Sequence, residues 1–241
     1  MRKQSPQLTQ LTLALHIAIA LPVTAHAQQL IVNDGSTRTA SGTYDTGTTV
    51  NASALAALGA GSVITGTGVT ATTKGTAAEA AYAYDGGRVE LTDSTLKTAG
   101  SDAYGVMAEK SGTVKLTNSQ VSTTGTPNAH GVVAFAGGQV EMTGGSVATQ
   151  KGAGLAASGA GSLISVQGTR VTIAEAGAGT QGAAAQDGGV IRLGPGTAIE
   201  VDPTSDRDGH GLRAFGAGSQ IHASGATVTT GAGTGVTNHN H

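Results

Sequence analysis

One short pattern recurs along the chain at nearly constant spacing, and it restricts the fold more than any other feature. The pattern is glycine, an aliphatic residue, any residue, alanine, and a second glycine four positions later. It reads Gly105-Val106-Met107-Ala108 before Gly112, and Gly131-Val132-Val133-Ala134 before Gly138. It returns as Gly154-Leu155-Ala156-Ala157 before Gly161, Gly182-Ala183-Ala184-Ala185 before Gly189, and Gly211-Leu212-Arg213-Ala214 before Gly218. Two earlier copies open on alanine: Ala54-Leu55-Ala56-Ala57 before Gly61, and Ala80-Ala81-Tyr82-Ala83 before Gly87. The aligned alanines Ala57, Ala83, Ala108, Ala134, Ala157, Ala185 and Ala214 lie 26, 25, 26, 23, 28 and 29 residues apart. A period that is nearly fixed yet tolerates small insertions belongs to a solenoid, in which each unit packs only on its neighbours.

Within each unit the apolar residues alternate with polar ones in three short runs. After Gly87 come Val89-Glu90-Leu91, then Thr95-Leu96-Lys97-Thr98, then Tyr104 to Ala108. The next units repeat this with Val114-Lys115-Leu116, Val121 and Val132 to Ala134, and with Val140-Glu141-Met142, Val147 and Leu155 to Ala157. Period-two alternation marks strands, and the Gly, Asp, Asn and Ser clusters between them mark turns. Composition alone suggests a glycine-rich disordered chain, since 39 of 241 residues are glycine and only 2% are aromatic. The periodicity decides against that.

The prediction is an all-β right-handed parallel β-helix with triangular coils of about 25 residues. Seven coils and a fragment at ~4.8 Å each make a rod of roughly 35 Å. Val89, Leu91, Leu96, Val106 and Ala108 are expected to point inward, and Glu90, Lys97 and Met107 outward.

With Gly-Val-x-Ala, a Gly-Gly turn and then Val-x-Leu-Thr, the repeat resembles the passenger region of pertactin-like bacterial autotransporters over nearly all of residues 30–237. The resemblance implies a signal peptide, a β-helical passenger that acts at the cell surface as a virulence-type adhesin, and a C-terminal outer-membrane barrel. No barrel follows here, and the last unit begins at Gly235-Val236-Thr237 and ends at His241 before its motif alanine. The expectation is a passenger truncated in its last coil, held in the periplasm, where a full-length relative reaches the surface or is secreted.

Residues 1–27 fit a secretory signal peptide. Arg2 and Lys3 are followed by an apolar run from Leu8 to Val23, and Ala25-His26-Ala27 provides a cleavage site before Gln28. The passenger domain is then 28–241, and the export machinery is one implied partner. Removing Arg2 and Lys3 lowers Lys+Arg from 13 to 11 against 15 Asp+Glu, a formal charge of −4. That balance argues against nucleic acid and anionic membrane surfaces as partners. No mature segment is apolar enough to span a membrane as a helix. The lack of cysteine excludes Cys-type zinc sites.

Several motifs invite a chemical reading. Gly177-Ala178-Gly179-Thr180-Gln181-Gly182 satisfies G-x-G-x-x-G, but the strand repeat continues through Ala183 to Ala185, so the helix N-terminus that a dinucleotide needs is not due there. His239 and His241 are spaced to share one face of a strand, at a chain end where fraying is the rule. His130 and His210 each precede a motif glycine, in units that are not adjacent. The turn Asp202-Pro203-Thr204-Ser205-Asp206-Arg207-Asp208-Gly209 is the most polar. It reads either as a solvated loop or, with Arg213, as a calcium-assisted site for an acidic sugar of the polysaccharide-lyase kind. No catalytic, cofactor or metal residue is assigned.

The outward slot of the motif holds Tyr82, Met107, Val133, Ala156, Ala184 and Arg213. If these align, Tyr82, Met107 and Val133 form an apolar stripe, read either as a contact site or as a surface covered by a loop or a neighbouring subunit. The candidate interaction surface therefore comprises Tyr82, Met107, Val133, Asp206, Arg207, Asp208 and Arg213. Its expected ligand is a protein or glycan on a host or other cell surface. The chain is expected not to be an enzyme; the alternatives are a carbohydrate-active β-helix near Asp206, Asp208 and Arg213, and an inactive remnant.

Overall fold

The computed structural model describes residues 28–177, 179–202, 209–231 and 233–239. The segment read as a signal peptide and the candidate residues Asp206, Arg207 and Asp208 lie outside these, as do Ala178 and His241. All regular structure among the described residues is β, in three parallel sheets. Sheet A stacks nine strands, from Leu30–Val32 through Val106–Glu109 to Val236–His239. Sheet B stacks eight, from Thr37–Ala40 to Gln220–Ala223, and sheet C eight, from Thr43–Asp45 to Thr227–Thr230. The chain passes from A to B to C and back to A, so each strand pairs with its equivalent one coil away. This is a β-solenoid of about eight turns. One coil without the motif precedes the seven that carry it, and it puts Val32, not an alanine, in register with Ala57.

Register follows the repeat. Ala57, Ala83, Ala108, Ala134, Ala157, Ala185 and Ala214 form one column of paired residues down sheet A. In the last strand Asn238 takes the alanine's place beside Ala214. The interior is built from such columns. Ile64, Val89, Val114, Val140, Ile164 and Ile191 stack in sheet B, and Leu96, Val121, Val147, Val171 and Ile199 in sheet C. All of these are buried. Val89, Leu91, Leu96, Val106 and Ala108 are buried as expected, whereas Lys97 is exposed and Glu90 and Met107 are half-buried. Stacking small and branched aliphatic residues of similar size fills a narrow bore without large aromatics, which explains how so glycine-rich a chain supports a core.

The closing glycine of the motif covers two different positions. In four coils it is Gly87, Gly112, Gly138 or Gly189, where a Cβ would overlap the carbonyl of a motif alanine, Ala57, Ala83, Ala108 or Ala157. In three others the corner is one residue longer and Ser62, Ser162 or Ser219 takes that place, as the pairings Val63↔Arg88, Gln139↔Leu163 and Val190↔Gln220 require. Each of these serines is buried and accepts a backbone N–H, from Gly35, Gly137 and Gly188 at 3.1, 3.0 and 3.2 Å. The preceding Gly61, Gly161 and Gly218 then adopt positive φ, between 77° and 82°. The identical string Gly-Ala-Gly-Ser marks all three longer corners in the sequence.

Candidate functional site

The outward slot of the motif forms one continuous column along sheet A. Pairing joins Ile31, Ala56, Tyr82, Met107, Val133, Ala156, Ala184, Arg213 and Thr237 in that order. The alignment of Tyr82, Met107 and Val133 is therefore real. The column is not uniformly open: Tyr82 and Met107 are half-buried, while Val133 is only 7% exposed. Arg213 lies three coils beyond Val133, with its guanidinium stacked 4.4 Å from the centroid of Phe215. The structure thus brings Tyr82 and Met107 together in one site and leaves Arg213 apart from them.

At its N-terminal end this column becomes the floor of a groove of about 510 Å³ that crosses four strands of sheet A. Ile31, Ala56, Tyr82 and Met107 form the floor. One wall comes from the residue just before each motif, namely Ser53, Glu79 and Tyr104, with Asp102 at the rim. The opposite wall comes from the residue just after the motif alanine, here Leu58 and Glu109. Strand alternation explains the floor and one wall, since the slot and the residue after the motif alanine flank an inward alanine and both face outward. The other wall precedes the strands, which start at Leu55, Ala81 and Val106, and so lies outside that alternation.

Hydrogen bonds fix the polar groups of the groove across coils. The Ser53 hydroxyl donates to a Glu79 carboxylate oxygen at 2.7 Å, and the Tyr82 hydroxyl donates to Glu109 at 2.8 Å. Gln29 Nε2 donates to the Ser53 carbonyl at 2.9 Å. Burial pushes the Glu79 carboxyl above its ordinary pKa, an effect the Ser53 hydrogen bond opposes and the Glu109 charge reinforces. Burial also raises the Tyr82 and Tyr104 hydroxyls, and for Tyr82 the bond to Glu109 adds to the effect.

Below the groove, Tyr104 stacks on His130, ring centroids 5.5 Å apart and planes 2° from parallel. The His130 Nδ1 accepts the backbone N–H of Ala153 at 2.9 Å, so the neutral ring carries its proton on Nε2. Burial holds the His130 pKa below its usual value, with Asp102 pulling the other way. Ser53, Glu79, Tyr104 and His130 occupy the same place in successive units, immediately before the motif's opening residue. Sequence reasoning noted that place only for His130 and His210. Following it through every unit reaches Glu79 and Tyr104. Glu109, directly after the motif alanine, is reached in the same way, and Asp102, in the turn, is not.

Among the described residues, no group of three His, Cys, Asp or Glu side chains is placed to hold a metal ion, and no helix is long and apolar enough to cross a membrane. Searches against protein-family models, curated proteins and solved structures returned no match.

Proposed function

We propose that this chain is an exported surface-interaction module of the autotransporter-passenger type, which holds its partner in the groove on the outer face of sheet A. The observation that carries the reading is the groove itself: side chains from four successive strands converge on one face, and hydrogen bonds between coils hold them there. Pre-ordered side chains lose little entropy on binding, so a rigid solenoid face suits recognition. The stacked strands also provide binding area without an enclosed pocket.

Adhesion tests the proposal. Beads coated with the purified chain are presented to cultured animal cells and the bound beads counted. Met107→Arg, which fills the groove, is expected to remove most of the binding. Lys97→Glu, on the exposed face of sheet C, is expected to leave it intact. Equal loss in both variants, or no binding by the unaltered chain, contradicts the proposal.

A further inference from the structure

We propose that the sheet A groove takes an extended peptide segment of a protein partner, anchored by an arginine or lysine side chain of that segment. This rests on the reading of the groove as the binding face, and goes further by naming the chemistry of the ligand.

Charge supplies the first argument. Glu79, Asp102 and Glu109 line the groove and no Lys or Arg does. An anionic ligand, such as an acidic sugar or a phosphate, meets repulsion there, and a cation meets attraction from both walls. Hydrogen-bonding capacity supplies the second. The hydroxyls of Ser53 and Tyr82 and one N–H of Gln29 are committed within the protein, which sets mainly the Asn51 amide and the Tyr104 hydroxyl, as donors, against three carboxylates. The groove therefore presents chiefly acceptors. A guanidinium or ammonium brings only donors and fits that balance, whereas sugar hydroxyls need donors and acceptors together.

The aliphatic part of the floor, Ile31, Ala56 and Met107, matches the methylene stem of a long basic side chain. Four strands at ~4.8 Å spacing give the groove a length of roughly 14 Å, enough for about four extended residues. A bound cation also relieves the cost of burying the Glu79 carboxylate, which burial alone drives toward its neutral form.

The test uses the full chain and a labelled octapeptide of glycine, serine and leucine containing two arginines. Its controls are the same peptide with two glutamates and an uncharged glucan oligosaccharide. Fluorescence anisotropy is expected to show binding of the arginine peptide alone. Glu109→Gln is expected to weaken that binding about tenfold, as the loss of a charged hydrogen-bond partner does. Met107→Arg is expected to abolish it. Glu141→Gln, which removes one charge from the outer face of sheet B, is expected to change nothing. Thermal melts accompany each variant. If Glu109→Gln fails to fold, Met107→Arg decides alone, because its side chain extends from the outer face. Equal weakening by Glu109→Gln and Glu141→Gln means attraction to net charge only, and overturns the proposal. Binding of the glucan in place of the peptide, blocked by Met107→Arg, overturns the peptide ligand and leaves the groove as the binding face. Absence of peptide binding also overturns the proposal, while the bead assay reports separately on the module itself.

Discussion

Glycine and alanine divide the opening position of the repeat according to what faces them. Gly105, Gly131, Gly154, Gly182 and Gly211 each lie against a γ-methyl of Val121, Val147, Val171, Ile199 or Val228, and a Cβ at any of these glycines would overlap it. The two units that open on Ala54 and Ala80 have residues without a β-branch, Ala71 and Leu96, at the equivalent places in sheet C. Steric exclusion by the β-branched partner, not turn conformation, therefore keeps glycine at those five sites. Gly131→Ala is expected to cost about 2–3 kcal/mol by overpacking. Adding Val147→Ala should recover only part of this, since the Gly154 carbonyl oxygen also stands 2.7 Å from the new Cβ. Urea denaturation of the two single variants and the double variant measures the coupling, and strict additivity would show the contact to be irrelevant.

His130 gives a pH dependence at the same scale. Its folded pKa lies below the ordinary 6.5, so the unfolded chain binds more protons as the pH falls through that value. Stability is then lost on acidification below about pH 6.5 and levels off once the folded ring also protonates. Glu79, with a raised folded pKa, acts in the opposite sense, gaining stability as the pH falls toward its ordinary 4.5. Comparing the melting temperature of the chain with that of His130→Gln between pH 7.5 and 5 isolates the histidine contribution. The two curves should converge at acid pH; parallel curves contradict the assignment.

At the scale of the strand, the alternation in Val106–Glu109 predicts opposite outcomes for neighbouring residues. Val106→Asp puts an unpaired charge between coils and is expected to cost more than about 4 kcal/mol. Met107→Asp faces outward and is expected to cost about 1 kcal/mol. Thermal melts of the two variants decide, and equal shifts would contradict the register. This register was legible in the sequence because the inward and outward sets differ so plainly in polarity along each strand. The corner serines were less legible. Ser62, Ser162 and Ser219 sit beside a glycine at the motif's usual spacing, so counting from the alanine settles on that glycine and misses the extra residue. The groove was half legible. Tyr82 and Met107 share a slot within the motif itself, and Glu79, Tyr104 and Glu109 hold fixed places at its two ends, whereas Asp102 falls in a turn of variable length, where spacing gives no alignment.

Over the whole molecule, stability depends on how many coils cover a residue. Ile191 is fully buried between coils, while its register partner Ile221, in the last turn of sheet B, is only half-buried. Ile191→Ala is expected to cost about 3–4 kcal/mol and Ile221→Ala about 1 kcal/mol, as nearest-neighbour stacking requires. Similar losses for the two in denaturant titrations would mean that the last turn is as firmly packed as the middle.

The same one-dimensional architecture gives the molecule three long faces of different character. On sheet B, Lys115 pairs across coils with Glu141 at 3.6 Å, and on sheet C Arg170 pairs with Glu200 at 2.6 Å. Such partly solvated ion pairs contribute little to stability and leave those faces polar and balanced in charge. Sheet A carries the apolar floor and the unbalanced carboxylates, and so is the face on which a partner is expected. Site-directed photo-crosslinking tests this most directly. A photoreactive residue is placed at position 107 in the sheet A groove or at position 97 on sheet C, and each chain is illuminated on the surface of cells that it binds. The account predicts a discrete crosslinked species from position 107, competed by excess unlabelled chain, and none from position 97. Crosslinking from position 97 alone, or equally from both, would contradict it.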